Sequence, residues 1–155
     1  MDTRSLTNLN TLHPKFLPSA IEAFGEAQAA MPANVQIVVV QGLRTFDESN
    51  ALYAQGRTAP GPIVTKAAAG QSYHNYGLAF DFAMITNGQD DDTVGPNWLK
   101  VVSIMEAAEM FWGGNFPEGF HDNPHFENRY GYNWRQLLDL YNAGTFIPGT
   151  QYVQI

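Results

Sequence analysis

The sequence predicts an α+β fold, a small, mostly antiparallel sheet flanked by helices. Three observations carry this. Apolar residues recur at helical spacing in several stretches, and two short runs read as strands. The two kinds of stretch do not alternate regularly, which argues against a doubly wound parallel sheet. Residues 15–30 read as the first helix, with Phe16, Ile21, Phe24 and Ala27 or Gln28 near helical spacing; Pro32 and Asn34 end it. Val35-Gln36-Ile37-Val38-Val39-Val40 is the clearest strand, short and β-branched. Residues 47–55 read as a helix, with Thr45 or Asp47 as N-cap and Gly56 just past its end. Residues 78–83 read as a strand. Residues 97–111 read as an amphipathic helix with Trp98, Val101, Val102, Met105, Ala108 and Trp112 on one stripe, stopped by Gly113-Gly114. Residues 133–143 form the last expected helix, closed by Gly144.

The length of 155 residues suits one domain with its own core, and no repeat, linker or low-complexity stretch divides it. A hydrophobic content of 45% excludes a disordered chain. There is no cysteine, so disulfides and thiolate metal sites are excluded and any metal must be held by histidine and carboxylate. A net charge of −7 argues against a nucleic-acid partner. Met1 to Leu6 holds no apolar core of signal-peptide length, and the apolar run at Val35–Val40 is far too short to span a bilayer. The expectation is synthesis in the cytoplasm, no membrane insertion, and export only by an outside route.

Two segments carry the chemistry. One is Ser72-Tyr73-His74-Asn75-Tyr76-Gly77-Leu78-Ala79-Phe80-Asp81; the other is Asp122-Asn123-Pro124-His125-Phe126-Glu127. They offer two imidazoles and a carboxylate, with a further carboxylate just ahead of the second imidazole. Three nitrogen or oxygen ligands and a nearby base are what a catalytic zinc requires, its fourth position being left to water. His74 and Asp81 are an odd number of residues apart, so on one straight strand they face opposite ways. They share a metal only if a turn intervenes, and Gly77 supplies the flexible point. Asp81 then shares a face with Ala79 and Ala83, while Leu78, Phe80 and Phe82 take the other. On spacing alone, a strand-ending Asp81 and a surface His74 remain an equal alternative. Pro124 makes residues 124–127 a short extended piece carrying His125. Asp122 suits a general base, or a solvated turn acid.

Arg44, just after the first strand, can stabilise an oxyanion or hold a substrate carboxylate; the alternative is a surface salt bridge. His121 reads as a surface histidine, and His13 as structural or solvent-exposed. Asp90-Asp91-Asp92 reads as a solvated loop without the spacing of an EF-hand, a weak calcium site being the alternative. Phe111, Trp112, Phe116 and Phe120 are expected in the core, with one or two left to wall a cleft.

In combination these residues resemble a known family. Gln41-Gly42-Leu43-Arg44-Thr45 with Leu52-Tyr53-Ala54-Gln55-Gly56-Arg57 is similar to its G-x-R-T … L-Y-x-Q-G-R signature. Ser72-x-His74-x-x-Gly77-x-Ala79-x-Asp81 is similar to its first zinc motif, and Trp112-Gly113-Gly114 with Asp122-Asn123-Pro124-His125-Phe126 to its W-G-G … D-x-P-H-F block. The family is the zinc D-Ala-D-Ala carboxypeptidase and L-Ala-D-Glu endopeptidase group, whose wider fold is shared by a hedgehog-like signalling domain. The resemblance runs from about Leu12 to Tyr141. It implies one catalytic zinc on His74, Asp81 and His125, with Asp122 as base. It also implies Arg44 in substrate binding or oxyanion stabilisation, and Ser72 beside the substrate or in support. Asn123 stands where carboxypeptidase relatives often carry histidine, which favours the endopeptidase branch.

The expected protein is therefore a monomeric, single-domain zinc peptidase. It is endolysin-like and bacteriolytic, and its partner is the peptidoglycan stem peptide, cut at L-Ala–D-Glu. It would reach the wall after release through a phage holin or by another route. Residues 144–155 are too few for a separate wall-binding domain. The rival readings are a D-Ala-D-Ala carboxypeptidase of the same family and a non-catalytic zinc-binding or structural module. Asp122 argues against the module, which has no use for a positioned base.

Overall fold

Five helices and five strands make up the computed structural model, which describes residues 1–155. They are α1 (Thr3–Leu9), α2 (Leu17–Ala29), β1 (Val35–Gln41), α3 (Phe46–Ala54), β2 (Ala79–Thr86), β3 (Gln89–Asp90), α4 (Pro96–Ala107), β4 (Phe111–Trp112), β5 (His125–Glu127) and α5 (Trp134–Asn142). The strands form one sheet in the order β1-β2-β5-β4, with β3 pairing the far end of β2, and every pair is antiparallel. The predicted α+β class holds.

Alternation along β2 divides the sheet into two faces. Phe80 and Phe82 are fully buried, and with Phe126 of β5 they build an aromatic core with ring centroids 5.9 and 5.7 Å apart. Helices cover this face: Phe24 of α2 meets Phe80 edge-on, and Trp98 of α4 lies 4.6 Å from Phe82. The opposite face carries Asp81 and, through β5, His125. The register sets Asp81 directly across from His125 and Ala79 across from Glu127.

Several elements differ from the predicted ones. The short helix α1 gives no apolar period, since only Ser5 and Leu9 are buried on it. It forms because Asp2 caps it and because its polar side chains satisfy the edge strand: Val39 N–H donates to Ser5 Oγ (2.9 Å), and Asn8 Nδ2 donates to the Val39 carbonyl (2.8 Å). The ladder register shifts just there, between Val39 and Gln41. α4 ends at Ala107, well before Gly113-Gly114, because Glu109 takes a left-handed φ of 62° and turns the chain. Phe111 and Trp112 then pair with β5 in the sheet instead of extending the helical stripe. β2 runs on to Thr86 and turns through Asn87-Gly88, both with positive φ, into β3. The acidic run lies on this hairpin. Asp90 pairs in β3, and the Asp91 carboxylate accepts from Thr86 Oγ1 and Thr93 N–H. Thr45 is the N-cap of α3, in a reciprocal capping box with Glu48.

His13 is structural. It is buried, its Nε2–H donates to the Val153 carbonyl (2.9 Å), and its Nδ1 accepts the Lys15 N–H (3.1 Å). Both nitrogens are committed, so a second ring proton has no acceptor, and burial lowers its pKa below the ordinary histidine value. The unfolded chain therefore takes up that proton first, and stability is lost as the pH falls below about 6.5. We expect the melting temperature of the wild type to drop more between pH 7.5 and pH 5.5 than that of His13→Gln. Equal drops would remove His13 from the acid response.

Candidate functional site

His74, Asp81 and His125 are brought together from three separate pieces of backbone. His74 sits in a one-turn 3-10 helix, Tyr73–Tyr76, whose N-terminus is capped by the Ser72 hydroxyl accepting the His74 N–H. Gly77 ends the turn at a φ of 68°, packed so closely that an added Cβ would stand 2.6 Å from the His13 nitrogen. The chain then enters β2, which presents Asp81, and β5 presents His125 opposite. His74 Nε2 lies 3.2 Å from Asp81 Oδ1 and 3.1 Å from His125 Nδ1, and His125 Nδ1 lies 3.1 Å from Asp81 Oδ1. This is the one group of histidines and acids close enough to hold a metal ion, with all three donor atoms within 4.8 Å of one another.

The donor set fits such an ion. The remote nitrogen of each ring is tied off: His74 Nδ1–H donates to the Gly42 carbonyl (2.8 Å), and His125 Nε2–H donates to Glu127 Oε2 (2.8 Å). With one ring proton directed outward by each bond, loss of the other leaves each imidazole a lone pair on the nitrogen that faces Asp81. Two nitrogens and one carboxylate oxygen suit zinc and other first-row divalent ions. Burial works against charge on Asp81, but His74 and His125 outweigh it and hold its carboxyl far below the usual range. Burial likewise opposes the charge on His125 and Glu127, yet their charged partners prevail. Asp81 first and Glu127 second raise the His125 imidazole to about 9, and His125 first and Arg129 second lower the Glu127 carboxyl.

Around the cluster lies a cleft of about 230 Å³ lined by Arg44, Ser72, Asp122 and Arg129, among others. Asp122 reaches it from the exposed segment before β5, and its side chain makes no hydrogen bond. Crowding in the cleft and the negative charge of Asp81 raise its carboxyl above the usual range, against the smaller pull of His125, His74 and Arg44. Arg44 is half-buried, with Nη2 3.9 Å from Asp81 Oδ2. Its backbone is fixed by the His74 carbonyl, and its Nε is buried with no partner. Asn75 holds the same loop from beneath, donating to the Arg44 carbonyl (2.9 Å) and to Ser49 Oγ (2.8 Å). His121 is exposed in an adjoining groove. Phe111, Phe116 and Phe120 lie outside the buried core, contrary to expectation, because the chain from Phe111 to Phe120 runs past the short end of the sheet. Phe111 stacks on Phe116, and Phe116 flanks His125. Trp112 is half-buried, and its indole N–H ties β4 to the Asn123 carbonyl (2.7 Å).

Gly113 makes the placement of Asp122 and His125 possible. Its carbonyl accepts the Asp122 N–H (3.0 Å), and an added Cβ would overlap the Asp122 carbonyl oxygen and stand 2.9 Å from His125 Cβ. Gly113→Ala must push this segment aside. We expect a protein that still folds but hydrolyses its substrate about 10²-fold more slowly, the scale of an ångström's misplacement. Unchanged activity would show that the segment is free to shift.

Glu127, Arg129, Asn75 and the Gly42 carbonyl were not singled out from the sequence. Glu127 carried a usable signal, because it stands two residues after His125 on an extended piece and so shares its face. Arg129 is held by Glu127 two residues before it, whereas Asn75 and the Gly42 carbonyl act through contacts between distant segments.

Comparison with known proteins places this geometry. The family described as D-alanyl-D-alanine carboxypeptidase matches over residues 65–128, which include His74, Asp81, Asp122 and His125. The peptidoglycan L-alanyl-D-glutamate endopeptidase CwlK of Bacillus subtilis (strain 168) is 38% identical over 131 residues, 74% of each chain. Among solved structures, the L-Ala D-Glu endopeptidase ChiX of Serratia marcescens shares the fold with a TM-score of 0.56 at 20% identity, over 82% of this chain and 87% of that one. The vancomycin-resistance D,D-dipeptidase VanXYg, solved with a D-Ala-D-Ala phosphinate analogue, gives 0.57 at 18% identity, over 85% of this chain and 60% of that one. The likeness to the endopeptidase of Bacillus subtilis runs through most of both chains, and the protein is a member of the D-alanyl-D-alanine carboxypeptidase and L-alanyl-D-glutamate endopeptidase family of metallopeptidases.

Proposed function

We propose that the protein is a zinc-dependent peptidoglycan hydrolase that cleaves the L-Ala–D-Glu bond of stem peptides. The observation that carries this is the convergence of His74, Asp81 and His125, with both remote ring nitrogens tied off and Asp122 on the same cleft. The identity to an L-alanyl-D-glutamate endopeptidase supports the choice of bond. In this reading His74 Nε2, His125 Nδ1 and an Asp81 oxygen hold one zinc. The ion supplies a Lewis acid and brings the pKa of water toward neutrality.

The chain's own groups do the rest. Asp122 takes the proton of the attacking water and returns it to the leaving amine; its raised pKa suits both halves of that task. Arg44, which lines the cleft, offers its guanidinium to the oxyanion that develops on the scissile carbonyl. Ser72 stands at the cleft with its hydroxyl proton free for substrate, while its oxygen caps the turn that carries His74. Glu127 and the Gly42 carbonyl orient the two imidazoles and raise their basicity. The proposed action is bacteriolytic and endolysin-like, by a monomer that meets the wall after release from the cytoplasm.

Metal analysis and product analysis together test the reading. The purified protein is expected to carry one zinc per chain, to lose hydrolysis on removal of the metal, and to regain it with zinc. A full complement of zinc with no cleavage of any wall peptide would favour the non-catalytic module. The family description matched at residues 65–128 keeps a D-Ala-D-Ala carboxypeptidase as the second reading. Release of free D-Ala, with no new amino termini within the stem, would select it.

A further inference from the structure

The cleft over the metal cluster is one lobe of a longer groove. The second lobe, of about 660 Å³, shares Thr65, Ala67, Phe116 and Asp122 with the first, so the two are continuous past the candidate base. Their linings differ in balance, the larger lobe adding exposed apolar side chains beside Lys66 and His121. The larger lobe is walled by side chains that a folded chain ordinarily hides: Ile63, Val64 and Phe120 are 58, 52 and 56% exposed. Lys66 joins its two walls, donating to the Gly119 carbonyl (2.8 Å) and lying 4.1 Å over the Phe120 ring, which holds that ring in place. The smaller lobe holds two guanidiniums, Arg44 and Arg129, out of only eight lysines and arginines in a chain of net charge −7. Arg129 is held by Glu127 through its Nε and lies 5.2 and 5.0 Å from the rings of Tyr73 and Phe111, which leaves its outer nitrogens to a ligand.

The two sides of an L-Ala–D-Glu bond differ in the same way. On the acyl side stand the alanine methyl, a lactyl methyl and a pyranose ring, all uncharged. On the amine side, the carbon that bears the leaving nitrogen also bears a free carboxylate, since the chain continues from the γ-carbon of D-Glu.

We propose that the groove fixes the direction of the substrate. L-Ala and its N-acetylmuramyl group occupy the apolar lobe, with the sugar against Phe120. D-Glu occupies the smaller lobe, with its α-carboxylate on Arg129. The inference rests on the bond assigned above. It makes Phe120 and Arg129 specificity residues acting on opposite halves of the substrate. It also implies discrimination against stem peptides whose D-Glu is amidated, because an uncharged amide with one acceptor oxygen cannot form the two-oxygen ion pair that a carboxylate forms with a guanidinium.

Four synthetic substrates test this. They are the tripeptide L-Ala-D-Glu-L-Lys, γ-linked at D-Glu, with or without N-acetylmuramyl on its amino end, and with the α-carboxyl free or amidated. The wild type is expected to favour the free carboxylate about tenfold in kcat/KM, as for one hydrogen bond to a charged group. It is expected to favour the muramyl form about tenfold, as for one covered aromatic face. Arg129→Gln brings the first ratio to about one and keeps the second; Phe120→Ala does the reverse. These are ratios within one enzyme, so a general loss of activity in either variant does not obscure them. Cleavage of all four substrates with both ratios near one overturns the direction and leaves the bond assignment standing. Crossed responses, with Phe120→Ala erasing the carboxylate preference, also overturn it. No cleavage of the L-Ala–D-Glu bond in any substrate overturns both.

Discussion

Asp122→Ala is expected to keep the fold and the metal and to lose hydrolysis by 10²–10⁴-fold, the range for removal of a positioned general acid–base group. The fold should survive because the Asp122 side chain has no hydrogen bond to lose. What the segment contributes structurally comes from its backbone: Asp122 N–H donates to the Gly113 carbonyl, and the Asp122 carbonyl accepts the His125 N–H. Alanine retains both bonds. The metal should remain because His74, Asp81 and His125 are untouched. The loss is thus expected in kcat, with metal content and melting temperature close to wild type. Full activity in this variant would remove Asp122 from the mechanism.

His125→Ala is expected to empty the site of metal. Loss of an outer partner alone weakens metal binding by about 10–100-fold, and loss of a ligand should exceed that. The substitution also strips buried Glu127 of one of its two charged partners, leaving Arg129 alone. The variant should therefore melt lower than wild type as well as purify without zinc. Stoichiometric zinc in folded His125→Ala would contradict the ligand assignment. Glu127→Ala separates the two effects, since it keeps the ligand and removes only the group that orients it.

Local rules made the convergence of His74, Asp81 and His125 legible only in part, leaving a surface His74 as an equal alternative, and the family resemblance selected the ligand set. Gly77 marks the turn between His74 and Asp81, the alternation from Leu78 to Ala83 places Asp81 away from the aromatic core, and Pro124 marks the extended start of β5. What could not be read was register. That Asp81 pairs with His125, and so Ala79 with Glu127, follows from the alignment of two strands more than forty residues apart in sequence. The small Ala79, which shares the Asp81 face, stands opposite Glu127. The shortened α4 shows the same limit. Trp112 continues the apolar stripe at helical spacing, but its tertiary partners are Phe126 in the sheet and the Asn123 carbonyl. α1 was invisible because its service to β1 is done by Ser5 and Asn8, which leave no hydrophobic period. The aromatic residues from Phe111 to Phe120 were misplaced because composition assigns them to a core that the short sheet end does not reach.

Mass spectrometry of purified peptidoglycan digested with the protein, with and without chelator, tests the central claim most directly. The account predicts new D-Glu or D-isoGln amino termini, abolished by chelator and restored by zinc. Digestion that persists undiminished in chelator, or that releases only terminal D-Ala, would contradict it.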